Sequence, residues 1–211
     1  MQSNIDITRH HGAIGRMTRE SRLGQRAATV WLTGLSGAGK STLAFALEDA
    51  LAAAGRFAYV LDGDNLRHGL CRDLGFSAAD RSENIRRVAE LAAVLNDAGL
   101  IAIAAFISPY RADRAAARAS VGGERFLEVH VCTPLTVCER RDPKGLYGRA
   151  RRGEMREMTG VDAPYEAPGE EALQVDAGVL PVESCVAVVM ARLAPLIAWR
   201  EAPPNEQEAA G

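Results

Sequence analysis

Gly34-Leu35-Ser36-Gly37-Ala38-Gly39-Lys40-Ser41, followed by Thr42, fits the pattern G-x-x-x-x-G-K-[ST], a loop that cradles phosphate groups. Gly34, Gly37 and Gly39 allow a tight backbone turn, so that N–H groups can face one concavity. The helix behind the loop adds unpaired N–H donors and the positive end of its dipole. Lys40 supplies a mobile point charge for β- and γ-phosphates, and Ser41 a hydroxyl for Mg2+. Such a loop must leave a buried strand and open a helix. Both flanks comply. Residues 29–33, Thr-Val-Trp-Leu-Thr, are β-branched and apolar, as a buried strand requires. Residues 41–54 contain neither Pro nor Gly and are rich in Ala and Leu, and Gly55 is placed to end the helix.

Outward from this core, strands and helices alternate. A second strand, 57–61, runs into Asp62-Gly63-Asp64-Asn65. A short helical stretch over 66–74 stops at Gly75, and a long helix over 79–98 has Ser77 as its N-cap and Gly99 as its stop. Strand three, 100–106, is almost wholly apolar and leads into Ile107-Ser108-Pro109-Tyr110-Arg111. A helix over 111–120, strand four over 126–132 and a short helix over 135–141 follow, then strand five over 172–176 and a final helix over 182–200 that Pro195 should kink. Alternating βα units predict a three-layer α/β fold of the P-loop NTPase type, a central parallel five-stranded sheet covered by helices on both faces. The domain spans 29–200. Residues 1–28 read as a polar N-terminal arm, with a short basic helix over 19–26, and 201–211 as a disordered tail.

The bulk properties exclude several classes. With 25 basic and 27 acidic residues among 211, the chain has no overall attraction for nucleic acid or an anionic membrane. Apolar runs are far short of a membrane span, and no secretory leader is evident. Cys71, Cys132, Cys138 and Cys185 form neither C-x-x-C nor a zinc cluster, and read as reduced thiols of a cytoplasmic protein.

In a doubly wound sheet ligands collect beyond the carboxyl ends of the strands. The phosphate loop, the Asp62–Asn65 turn and the residues after strand three all fall there. Strand three ends without an aspartate, so the pair Asp62 and Asp64 is the available carboxylate set: one member for Mg2+ or its waters, the other for the proton of an acceptor hydroxyl. Arg67, Arg81, Arg86, Arg87 and Arg111 offer guanidinium forks for a second anion, with Arg86 and Arg87 the more ordinary surface members. The segment 142–168 could be a plain surface loop, but one of that length inside a compact domain is usually functional or disordered. It carries Lys144, Arg149, Arg151 and Arg152, and reads as a mobile lid that closes over the phosphates and excludes water.

Taken together, these stretches resemble the adenylylsulfate kinase (APS kinase) family. The resemblance lies in Gly34 to Thr42, in Leu61-Asp-Gly-Asp-Asn-Leu-Arg-His-Gly-Leu70 and in Asp73-Leu-Gly-Phe-Ser77. It continues in Asp80-Arg-Ser-Glu-Asn-Ile-Arg-Arg87, Phe106-Ile-Ser-Pro-Tyr-Arg111, Cys138-Glu-Arg-Arg-Asp-Pro-Lys-Gly-Leu-Tyr147 and Thr159-Gly-Val-Asp-Ala-Pro-Tyr-Glu-Ala-Pro168. It implies transfer of the γ-phosphoryl of ATP to the 3′-hydroxyl of adenosine 5′-phosphosulfate, the activation step of sulfate assimilation. By this resemblance residues 34–42 take ATP, with Mg2+ at Ser41 and Asp62, and Lys40, Asp62, Asp64, Ser108 and Lys144 form the catalytic set. Asp64, Arg67, Phe76, Arg81, Asn84, Ile107, Ser108 and Lys144 meet the acceptor, Phe76 by stacking on its adenine. Met158 stands where the family usually has Phe, as the second leaf of an adenine clamp opposite Phe76, with Thr159 beside it. The family associates Ser108 with a phosphoserine intermediate; in-line transfer needs no such relay, and a hydrogen bond to substrate is the expected role. Arg9 stands where the family often has Trp. The resemblance further implies a homodimer and leaves room for an ATP sulfurylase partner.

Two rival readings share parts of the pattern. A gluconate- or shikimate-type kinase would have the phosphate loop and an acidic end to strand two, but no need of Phe76 or the Ile107-Ser108-Pro109 stretch. A GTPase-like switch would need an N-K-x-D motif after a strand, which the sequence lacks.

Overall fold

The computed structural model describes residues 12–199, together with Thr8 and His10. Arg9 and the expected tail at 201–211 lie outside the described residues. Five parallel strands form one sheet in the order β2-β3-β1-β4-β5, where β1 is Thr29–Thr33, β2 Ala58–Asp62, β3 Ile101–Ala105, β4 Phe126–Val131 and β5 Leu173–Val175. The chain visits β2 and β3 on one side of β1 and then β4 and β5 on the other. The crevice for ligands therefore opens at the carboxyl ends of β1 and β3.

Side chains alternate across each strand, so a single strand feeds two cores. Val30 and Leu32 of β1, with Ile101 and Ile103 of β3, pack under α2 (Lys40–Ala53) and α8 (Val182–Ile197) through Leu43, Leu47, Leu51, Val189 and Leu193. Trp31, Ala102 and Ala104 point the other way, onto α4 (Ala78–Asp97) and α5 (Arg111–Val121) through Ile85, Val88, Ala92 and Ala117. Strands buried on both faces lose the polar alternation, which is why 29–33 and 101–105 read as continuous apolar runs.

Local signals act where they were placed. Ser77 caps α4, its Oγ accepting the Asp80 N–H at 3.2 Å. Gly55, at φ +70°, ends α2 in a Schellman turn, with Arg56 N–H donating to Leu51 O at 2.8 Å. The expected helix over 66–74 is displaced. β2 runs one residue further, to Asp62, whose carboxylate caps α3 (Gly63–Arg67) directly; 69–73 are turns. Pro195 falls in the last turn of α8, which ends two residues later.

Residues 16–28 are more than an arm. The helix α1 (Arg16–Leu23) turns Glu20 inward to an ion pair with Arg125 at 2.5 Å. The fully buried Gln25 donates to Phe57 O and Gly99 O, both at 2.9 Å, and accepts from Phe57 N–H at 2.8 Å. These contacts sit at the amino ends of β2 and β3, opposite the phosphate loop. No helix among the described residues is long and apolar enough to cross a membrane. All four cysteines are free, with Cys71, Cys138 and Cys185 buried.

Candidate active site

The phosphate loop is held from outside. Gly34 leaves β1 at φ +151°, and a Cβ there would lie 2.6 Å from Val131 O, so only glycine lets the loop pass β4. Tyr147 OH donates to Ser36 O at 3.0 Å, Arg141 to Gly37 O at 3.4 Å and Thr133 Oγ1 to Ala38 O at 2.8 Å. In a trans peptide a carbonyl drawn outward turns the following N–H the opposite way. Thr133, Arg141 and Tyr147 are therefore what aims the loop, and sequence reasoning missed all three in this role. They come from segments about a hundred residues downstream, and no local pattern joins them to the glycines. Burial lifts the Tyr147 phenol well above its ordinary range, so it stays a donor at all working pH values.

A cavity of about 760 Å3 opens over the loop, within the range of small-molecule sites. Ser36, Gly37, Gly39, Lys40, Ser41 and Thr42 line its floor, and Asp62, Asp64, Arg67, Phe76, Arg81, Asn84, Ile107, Ser108 and Lys144 its walls. Both helix layers contribute, α4 through Asn84 and α8 through Val182 and Cys185. Gly34, Leu35, Ala38, Met158 and Thr159 are not part of the lining.

Lys40 is buried at the cavity floor and donates to Leu35 O at 2.6 Å. Burial pushes its ammonium down to about 8, and the neighbouring Lys144 adds to the effect against the pull of Asp62 and Asp64. Ser41 Oγ donates to Asp62 Oδ2 at 2.7 Å, while Asp62 Oδ1 accepts the N–H groups of Asp64 and Asn65 at 3.0 and 3.3 Å. The cap thus fixes one oxygen and presents the other beside the serine hydroxyl. That hard oxygen pair fits Mg2+ in the manner of nucleotide enzymes, in which one or two protein oxygens complete a shell of phosphates and water. Asp64 is exposed and pairs with Lys144 across the cavity mouth.

On the other wall, the Arg67 guanidinium lies 4.3 Å from the centroid of the Phe76 ring, and Phe76 is 62% exposed. Asn84 is buried, and its Oδ1 has no hydrogen-bond partner among the described residues. A buried acceptor left unmatched is costly, which marks it as a group waiting for a ligand donor. Arg81 bridges the wall to the 142–168 segment, donating to Phe76 O, Thr159 Oγ1 and Glu157 O at 2.8, 3.0 and 2.6 Å.

Several expectations need correction. Met158 is not in the cavity lining that includes Phe76. It is 4% exposed and packs in the apolar cluster beneath α2 and α8, because Asp162 anchors the 157 and 158 N–H groups and turns the side chain inward. Thr159 is buried with it and touches Arg81 rather than the cavity. The 142–168 segment is only partly a loop. It contains α6's successor, α7 (Leu146–Arg151), α6 itself being Leu135–Arg141, and it inserts Tyr147 and Met158 into the core. Of the five cations in the segment, Lys144, Arg149, Arg151, Arg152 and Arg156, only Lys144 lines the cavity; Arg151 pairs with Glu139 and Arg152 with Glu154 on the surface. Among the five candidate arginines, Arg67 and Arg81 reach the cavity. Arg86 and Arg87 both bond Glu83, holding its carboxyl down at about 2, and Arg111 donates to Ala167 O.

A strand feeding a phosphate loop, a lysine and serine at the helix start, and two carboxylates facing a second pocket define a P-loop kinase, an enzyme that moves a phosphoryl group to a hydroxyl. Comparison with known proteins narrows the class. The family model described as adenylylsulphate kinase matches residues 26–176. An adenylyl-sulfate kinase of Shewanella amazonensis is 56% identical over 181 residues, covering 86% of this chain and 91% of that protein. One from Shewanella denitrificans is 57% identical over 171 residues, covering 81% and 83%. The Mycobacterium tuberculosis APS kinase solved in complex with AMPPNP and APS superposes with a TM-score of 0.77 at 48% identity, covering 80% of this chain and 98% of that one. The chain belongs to the adenylylsulfate kinase family.

Proposed function

We propose that this chain transfers the γ-phosphoryl group of ATP to the 3′-hydroxyl of adenosine 5′-phosphosulfate, yielding 3′-phosphoadenylyl sulfate and ADP. The observation that carries the reading is the convergence, in one cavity, of Lys40, the Ser41–Asp62 pair, the Asp64–Lys144 pair and the unmatched oxygen of Asn84. Residues 34–42 hold the donor polyphosphate, and Lys40 meets its β- and γ-oxygens. Ser41 and Asp62 would hold Mg2+, which would supply charge neutralisation to the polyphosphate. Asp64 accepts the proton of the 3′-hydroxyl as its oxygen bonds to the γ-phosphorus, and the bond from that phosphorus to the ADP oxygen breaks. Lys144 exchanges its contact with Asp64 for the charge that develops on the transferring group. Phe76, Arg67, Arg81, Asn84, Ile107 and Ser108 position the acceptor.

The Asp142 to Pro168 segment acts as the lid, swinging on the parts of it that are not in the core, and the kinase domain takes up 29–200 with residues 16–28 packed onto it as part of the same folded unit. A homodimer in the cytoplasm, with an ATP sulfurylase as a further partner, is the assembly the family suggests. The test is ADP release with a panel of acceptors, followed by mass analysis of the product. Adenylyl sulfate should stimulate release and gain one phosphoryl group. Release driven instead by a sugar acid, with none from adenylyl sulfate, overturns the reading.

A further inference from the structure

Arg114 lies on α5, outside the cavity lining, and its side chain is only 2% exposed. An arginine in such a place is costly unless every face of its guanidinium is matched. Here the three nitrogens serve three separate segments. Nε donates to Glu128 Oε1 on β4 at 2.7 Å, Nη1 to Ser108 O at 2.7 Å and Nη2 to Glu166 O at 2.7 Å. One planar group thus ties together the sheet, the loop after β3 and the end of the 142–168 segment.

The loop it holds is under strain. Ser108 has φ +39°, which a residue with a side chain rarely adopts. Such a conformation persists only where the surroundings over-determine it. Trp31 Nε1 donates to Ser108 Oγ at 3.2 Å, and Thr33 Oγ1 donates to Ile107 O at 2.7 Å and contacts Tyr165 OH at 3.0 Å. Glu166 N–H donates in turn to Pro109 O at 2.8 Å. Arg114 is the charged member of this network, and its bond falls on the carbonyl of the strained residue itself. The phosphate loop, by contrast, is fixed by Thr133, Arg141 and Tyr147, none of which contacts Arg114.

We infer that Arg114 is a positioning residue for the acceptor half of the site: its fork sets the backbone of Ser108 and Ile107, and so the wall against which the acceptor nucleotide is seated, without touching either substrate. The inference rests on the proposed reaction. A lysine keeps the charge, but its three donors radiate from one nitrogen and do not reproduce the reach of a planar fork to three separate segments.

The experiment is steady-state kinetics of wild type, Arg114→Lys, Arg114→Met and Glu128→Gln, with KM measured separately for adenylyl sulfate and ATP. Both Arg114 variants should raise the adenylyl sulfate KM by about tenfold or more, the scale of a small misplacement next to the reacting groups, and leave the ATP KM within about twofold. Glu128→Gln, which keeps an acceptor oxygen and the side-chain shape, should move the same constant in the same direction by less. Loss of thermal stability alone, or equal movement of both KM values, refutes the inference. If the Arg114 variants do not fold, Glu128→Gln decides, and an unchanged adenylyl sulfate KM refutes it. A wild type that does not turn over adenylyl sulfate refutes the functional reading, and this inference with it; a wild type that does, with Arg114→Lys kinetically normal, refutes the inference alone.

Discussion

Raising the pH through 8 should weaken ATP binding, and the cause is Lys40. Its ammonium is buried at the loop and is pushed down from 10.5 to about 8. At about 1.4 kcal/mol for each pH unit, burial costs the charged form about 3 kcal/mol. Below pH 8 the folded and unfolded chains both carry the proton, and the whole penalty is felt. Between 8 and 10.5 the folded chain has released it while the unfolded chain retains it, so the ligand-free enzyme gains stability as pH rises across that window. A polyphosphate beside the amine reverses the preference and restores the charge. ATP binding should therefore take up almost no proton at pH 7 and close to one at pH 9. Affinity should fall by about tenfold between those two values, since the phosphates of ATP are already ionised there. Titration calorimetry in two buffers of different ionisation enthalpy measures the uptake directly. A flat affinity from pH 7 to 9, with no uptake at pH 9, would falsify the assignment of a desolvated Lys40 to the phosphate site.

Other expectations follow from the same geometry. Asp62→Asn retains a competent cap for α3 but removes the charge beside Ser41, so the Mg2+ concentration for half-maximal rate should rise by about tenfold while stability shifts by less than about 1 kcal/mol; an unchanged Mg2+ dependence counts against the Ser41–Asp62 site. Met158→Ala should cost about 2–4 kcal/mol in denaturant unfolding, the range for emptying a buried methionine site, with adenylyl sulfate affinity nearly unchanged. Tighter or weaker acceptor binding at unaltered stability would instead put Met158 at the adenine. Ser77→Ala removes the α4 cap and should lower stability by about 1 kcal/mol, or about 2–4 °C in Tm, read by differential scanning calorimetry.

What the sequence made legible was local. The apolar run at 29–33, the glycines of the loop and the helix behind them lie within about 25 residues, and each constrains its neighbours directly. Asp62 and Asp64 were legible because a parallel strand must end at the ligand-binding edge. Asp62 also shows the limit of such reading: as a turn residue it closes a strand, as a cap it opens a helix, and only the placement of the carboxylate decides between them. Tertiary anchors were not legible. Tyr147 reaches Ser36 across 111 positions and Thr133 reaches Ala38 across 95, and neither contact leaves a periodic trace. Met158 is set at the adenine by family resemblance alone, and the local sequence offers no check on it. Its neighbours Glu157 and Thr159 are polar, and nothing short of the Asp162 anchor shows that the side chain turns into the core.

The buried pairing of Glu20 with Arg125 bears on how the protein can be trimmed. A shortened version starting at Thr29 keeps every residue of the cavity, yet it strands the Arg125 guanidinium and abandons the carbonyls of Phe57 and Gly99 that Gln25 satisfies. Severing a buried ion pair on one side alone costs about 3–5 kcal/mol, a large part of the margin by which a domain this size stays folded. The catalytic end would keep all its residues and still be less secure, because the molecule is fastened shut at the opposite end.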